Sequence, residues 1–281
     1  VRKMGKTSLK LAAEAVLQME QYLRETVWRM NPQKSWENTH IKHHIDRRKA
    51  KKPFFIQDHI RAMVYSFLSS GIIWTRLEPL IEEHGRIPKI DNIFHQYEVN
   101  FVLNSTSDKL YREIQQTVGG TPYLKKQLDA LIRTNIPKLQ EFEAEYGSIE
   151  AYYNTFPTIK DLIRSLSEAS SGSPNSKMEQ MGIALVSEYL RNVGYDIAKP
   201  DRHVRRILGS KRLVLSEKED AGEYEALKIV EELAKQAGKS VAETDYILWS
   251  YCATGYTGIC TKSYPNCHVC RVKDRCRYTK S

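Results

Sequence analysis

Along most of the chain apolar residues recur every three or four positions, the period of an amphipathic helix. Sustained alternation in twos, the mark of a half-buried strand, is missing. The stretch TSLKLAAEAVLQMEQYLRETVWRM opens with a Ser/Thr cap and spaces Leu9, Ala13, Val16, Leu17, Met19, Leu23 and Val27 at helical intervals. NPQKSWENTHIKHHIDRRKAKKP then reads as a polar, basic connector ending at Pro53. Helical periodicity resumes from Pro53 to His84, and MVYSFLSSGIIW within it is apolar on nearly every face, as a helix through the middle of a core should be. Shorter helical segments follow, punctuated by RIPKID, TVGGTPY, TNIP, NTFP and ASSGSPNS. The pattern predicts an all-α fold.

Composition narrows the setting. The 281 residues, 41% of them hydrophobic, suffice for one large domain or two lobes. No segment approaches the roughly 20 apolar residues that span a bilayer, FLSSGIIW being the nearest. The formal charge of +9 is unevenly placed: residues 1–54 carry +8, residues 260–281 carry +5, and the stretch between them −4. Positive charge gathered at both ends suggests a polyanion if those ends meet in space, and otherwise solvated tails or a targeting address. His40, His43 and His44 have no acidic or cysteine ligand close behind them and read as surface or phosphate-contacting residues.

Four of the five cysteines lie in GICTKSYPNCHVCRVKDRCRY, as Cys260, Cys267, Cys270 and Cys276, spaced C-x6-C-x2-C-x5-C. A disulfide scaffold would spread its cysteines and carry a signal peptide, for which the first 30 residues show no apolar core. Zinc sites usually pair two short knuckles, and only Cys267 and Cys270 form one here. An iron–sulfur cluster is larger and tolerates longer, uneven loops, so spacing leaves both metals open.

The segment SKMEQMGIALVSEYLRNVGYDIAKPDRHVRRILGS carries the most chemistry. It predicts a turn at Gly182, a three-turn helix from Ile183 to Asn192, a break at Val193–Gly194 and an extended run. Pro200 then blocks helical continuation and Asp201 stands as N-cap of a second helix. Gly194, Pro200 and Asp201, followed 59 residues later by the cysteine motif, resemble the helix-hairpin-helix DNA glycosylases of the endonuclease III type, over residues 55–281. The stretch ETDYILWSYCATGYTGIC resembles the helix that delivers the first cluster cysteine.

The resemblance implies a basic N-terminal helix and connector (1–54) packed with the C-terminal lobe, a six-helix lobe with the hairpin (55–194), and a lobe with the catalytic aspartate and cluster (195–281). It implies a [4Fe-4S] cluster on Cys260, Cys267, Cys270 and Cys276. Cys252, outside the motif, reads as a buried small residue. The implied partner is double-stranded DNA with a damaged or mispaired base, bound by a monomer in the nucleoid or nucleus. Asp201 is the candidate catalytic carboxylate, for a base flipped out of the duplex. Bifunctional members carry a lysine where this chain has Ile183 or Ala184, so water is the expected nucleophile.

The family's Gly-hydrophobic-Gly hairpin turn is reduced here to EQMG, with Gly182 left to hold a DNA phosphate and Lys177, Lys262, Arg271 and Lys273 as candidate supporting contacts. FLSSGIIWTRLEPLI resembles the segment that fills the gap left by the flipped base, which makes Ile72 and Ile73 candidate wedges and Trp74 a candidate stacking platform. Core packing is the alternative for all three. Tyr123 and Lys126, in GGTPYLKKQ, resemble a pocket-lining segment. The chain ends five residues after Cys276, which sets against the extra domain of members that remove adenine opposite oxidised guanine.

Overall fold

The computed structural model of the protein describes residues 6–169 and 176–280, with the side chains of Lys6, Thr7, Trp74, Thr279 and Lys280 outside the described set. Every regular element among the described residues is helical, and none is long and apolar enough to cross a membrane. Helix α1 (Lys6–Glu25) buries Leu9, Ala13, Val16, Met19 and Leu23. Leu17, expected with them, is 42% exposed. It stands about 100° round the helix from Val16, beyond the edge of the buried stripe.

The polar connector holds a helix that its composition hides, α2 (His40–Lys49). Thr39 Oγ1 accepts from Lys42 N at 3.2 Å at its start, and Ile41 and Ile45, one turn apart, are buried. Helix α3 (Ile56–Gly71) is the core helix, with Ile60, Met63, Val64 and Phe67 wholly buried. It ends at Gly71, well short of the expected His84, because Ile72 turns extended (φ −126°, ψ 143°) and only a single turn, Trp74–Leu77, follows.

There follow α4 (Pro88–Ile93), α5 (Val99–Leu103), α6 (Ser107–Val118) and α7 (Pro122–Ala130). A π-helical turn (Leu131–Asn135) joins α7 to α8 (Ile136–Tyr146), and α9 (Ile149–Tyr153) and α10 (Ile159–Ser167) come next. Helix α11 (Ile183–Asn192) has the limits its sequence predicts. Three helices complete the chain: α12 (Arg202–Leu208), α13 (Glu223–Ala237) and α14 (Val241–Cys252). Thr106, Ser148, Thr158 and Ser240 cap α6, α9, α10 and α14, each side chain accepting a backbone N–H of the first turn.

The chain divides into two units, one of residues 1–43 with 196–281, the other of residues 44–195. The first boundary falls inside α2, not after Pro53, because Arg47 and Arg48 bond within the second unit, to Asp58 and Glu150. In the first unit α1 packs against α13 and α14, and Trp28, Trp36 and Tyr246 cluster beside them. In the second unit α3 packs against α11 and α7.

Candidate active site and cysteine-rich centre

Asp201 stands at the N-cap of α12, where its Oδ1 accepts from His203 N at 2.8 Å and Val204 N at 3.0 Å. Both cap bonds end on Oδ1, which leaves Oδ2 for another partner. The run before it is fastened to the start of α14. Asp196 Oδ1 accepts from Ala242 N at 2.8 Å, and the buried Asp245 accepts from Lys199 N at 3.0 Å. With Pro200 fixing its own φ, the carboxylate of Asp201 is held from both sides. Burial lowers the pKa of the neighbouring His203, with the Asp201 charge working the other way.

Helix α12 also reaches the cysteines. Its Arg206, buried, donates to the carbonyl oxygen of Cys260 at 2.7 Å. Arg212, buried as well, donates to Thr261 O at 3.3 Å and lies 3.8 Å from the Tyr278 ring centroid. Tyr251 of α14 donates to Cys270 Sγ at 3.4 Å and accepts from Arg271 N at 2.9 Å, while its carbonyl accepts from Cys260 N. A hydrogen bond from Cys252 pulls the Cys260 thiol down to about 6 against its burial, and Arg212 and Arg206 add to the effect. Cys252 is fully buried and its own thiol is pushed up by that burial. Burial raises Cys267 and Cys276, and each is raised further by the charges of Cys270 and Cys260. Among the described residues no three His, Cys, Asp or Glu side chains converge on one position for a single metal ion.

The hairpin turn precedes α11. Its left-handed residue is Gln180 (φ +59°), whereas Gly182 has φ −82° and a Cβ there would meet nothing within 4 Å. Glycine at 182 therefore answers no steric demand of the fold. As N-cap it offers no side chain to α11, and this leaves the first N–H groups of an exposed helix start to an outside acceptor. The turn is braced from behind: Asn135 of the π-helical turn donates to Glu179 O at 3.1 Å and accepts from Glu179 N at 2.8 Å. Lys138, largely buried and lowered in pKa by that burial, donates to Lys177 O.

The other predicted residues scatter more. Ile73 is 63% exposed and Ile72 half-buried, so core packing does not account for Ile73. The Trp74 side chain lies outside the described residues. Tyr123 and Lys126 share an exposed face of α7. Lys262 and Lys273 are exposed, Lys177 half-buried, and Arg271 pairs with Glu25 at 3.2 Å. Composition gave no sign of the second-unit cluster around Arg48. Its guanidinium grips Glu150 at 2.5 and 2.9 Å, donates twice to Val193 O at 2.6 and 2.9 Å, and stacks 3.8 Å from the Tyr195 centroid. At the turn it holds, Gly194 (φ +85°) passes so close to His44 that a Cβ would stand 2.4 Å from its carbonyl oxygen.

The all-helical architecture is shared with a solved structure of a DNA glycosylase. The solved structure that shows this is that of Methanocaldococcus jannaschii 8-oxoguanine glycosylase/lyase in complex with a 15mer DNA containing 8-oxoguanine. It is similar to this chain with a TM-score of 0.53 and 16% identity, over 85% of this chain and 97% of that one. No protein-family profile and no curated protein sequence matches the chain.

Proposed function

We propose that the protein is a DNA glycosylase of base excision repair that uses water as its nucleophile. The observation that carries this reading is Asp201, a carboxylate fastened through one oxygen and available through the other. As the N-glycosidic bond breaks, electrons leave with the base and positive charge builds on the sugar. A fixed carboxylate stabilises that charge and takes a proton from the incoming water, whose oxygen bonds to C1′. The open start of α11 binds a DNA phosphate, and Asn135 and Lys138 keep the turn in shape for it. Ile73, exposed beyond the end of α3, fills the gap left by the extruded base.

Lysine is not available as the amine nucleophile at the first turn of α11, which begins with Ile183 and Ala184. An excision panel of lesion-bearing duplexes, headed by the 8-oxoguanine of the similar structure's DNA, tests the reading. Strand breaks that appear only after alkali are the expected result. Breaks without alkali would show that a lysine elsewhere forms a Schiff base, and no excision of any lesion would remove the enzyme reading.

Cys260, Cys267, Cys270 and Cys276 would hold a [4Fe-4S] cluster. The uneven C-x6-C-x2-C-x5-C spacing, with a single short knuckle at Cys267 and Cys270, supports this reading. When bound, the group supplies a thiolate cross-link of the C-terminal loops. The chain's own part is Arg206 and Arg212, whose cationic groups favour thiolates, and Tyr251, which ties Cys270 and Cys260 to α14. Purified protein is expected to be yellow-brown with iron and sulfide in equal amounts. Cys276→Ser should lose most of the colour and lower the thermal midpoint. Colourless protein containing zinc would refute the assignment.

A further inference from the structure

One surface feature of the second unit is lined by none of the residues that the proposed excision uses. A surface cavity of about 540 Å³ lies against α5, with His95, Glu98, Asn100, Phe101, Asn104 and Lys109 in its wall. The His95 ring stacks on Phe101 with centroids 4.8 Å apart and planes 29° apart, and Lys109 Nζ lies 5.5 Å from the same ring. Asn100 and Asn104 are exposed, and neither amide side chain nor the His95 ring has a hydrogen-bond partner among the described residues. Glu98 brings an opposing charge, but its two oxygens are taken up by Asn100 N at 3.0 Å and Phe101 N at 2.6 Å.

The backbone that presents His95 is strained. His95, Gln96 and Tyr97 stand consecutively in the left-handed region, with φ of +49°, +56° and +64°, and none is glycine. Such a run persists only where its surroundings over-determine it, as they commonly do at ligand clamps. Here Tyr97 donates to the buried Asp91 at 2.7 Å and stacks on Phe94, and Gln96 is bonded by Arg86 and to Asn92. Burial of Tyr97 explains one end of the strain. It does not explain the other, where His95 is turned out into solvent over Phe101.

We propose that this cavity binds a nucleotide: a planar base on the His95–Phe101 stack, its edges read by the amides of Asn100 and Asn104, its phosphate on Lys109. The volume lies within the range of small-ligand sites, and stacking on aromatic rings is the usual means of holding an unpaired base. The same chemistry could arrive as a free nucleotide or as an unpaired nucleotide of a DNA strand.

The test uses the full chain and the fluorescence of 2-aminopurine, offered as the deoxynucleoside, as its 5′-monophosphate, and within a four-nucleotide strand. The monophosphate is expected to bind several-fold tighter than the nucleoside. Lys109→Ala should remove that advantage, and on the strand should lower the salt slope by about 0.7. His95→Ala should weaken all three probes by about 10-fold or more. A strand that binds at least tenfold tighter than the monophosphate identifies a DNA segment as the source, and equal binding identifies a free nucleotide. The proposal falls if none of the probes binds, if both variants bind as the wild type does, or if inorganic phosphate competes as well as the monophosphate. Excision by both variants is expected to match the wild type, so the outcome here is separate from the fate of the glycosylase reading.

Discussion

Replacing Asp201 with Asn is expected to leave the protein folded and to cut base excision by a factor on the order of 10²–10⁴. Asparagine is as good an N-cap as aspartate. Its side-chain oxygen can keep the bonds from His203 N and Val204 N, so α12 loses little. What disappears is the negative charge, and with it both the stabilisation of the sugar cation and the base that activates water. The thermal midpoint should therefore stay close to that of the wild type, and affinity for lesion-bearing duplex should hold or rise, since one charge repelling phosphate is gone. Asp201→Ala separates the two roles, because it adds a cap loss of about 1 kcal/mol to the same loss of activity. If single-turnover excision by Asp201→Asn stays within tenfold of the wild type while Asp201→Ala melts early, the residue is a cap and nothing more.

The part of the site that sequence could reveal is the part built from local rules. A proline that stops one helix and an aspartate that starts the next are short-range signals: α11 has the limits predicted for it, and α12 begins where Asp201 puts it. The cysteine spacing is legible for the same reason. Helix α2 was hidden because its two buried positions, Ile41 and Ile45, sit among eight charged or histidine neighbours, so that the run reads as solvated. The end of α3 was misplaced because apolar residues continue past Gly71 at helical spacing while the backbone does not. Arg206 acts on Cys260 from 54 residues away and Tyr251 on Cys270 from 19, and a single sequence contains no trace of such pairing. At the hairpin turn the glycine marks the helix start, while the left-handed position is held by Gln180, a residue type that gives no sign of it.

Arg48 illustrates the same limit and supplies the largest expected effect on stability. In DRRKAKKP it is one of several basic residues, yet it is the only one that grips Glu150, and it also closes the end of α11 through Val193 O. Glu150→Gln should cost about 3–5 kcal/mol, because it leaves a largely buried guanidinium without its counter-charge. On a chain of this size that corresponds to a fall in thermal midpoint of roughly 10 °C or more. The pH dependence follows from the same pair. Burial works to raise the Glu150 carboxyl, but His59 and Arg48 outweigh it and hold it at about 2 against an ordinary 4.5. A depressed carboxylate contributes its stability above the unfolded value and loses it as pH falls toward the folded one. About 3 kcal/mol present at neutral pH should thus drain away between pH 4.5 and 2. Urea titrations across that window should show the loss in the wild type and a flatter profile in Glu150→Gln. The double substitution Arg48→Met/Glu150→Leu should recover much of what either single change costs, since no charge is then stranded. Recovery should stop short of the wild type, because Val193 O has lost both donors and the Gly194 turn its brace. If the double variant is no more stable than Glu150→Gln, the cost lies in packing and not in the unpaired charge.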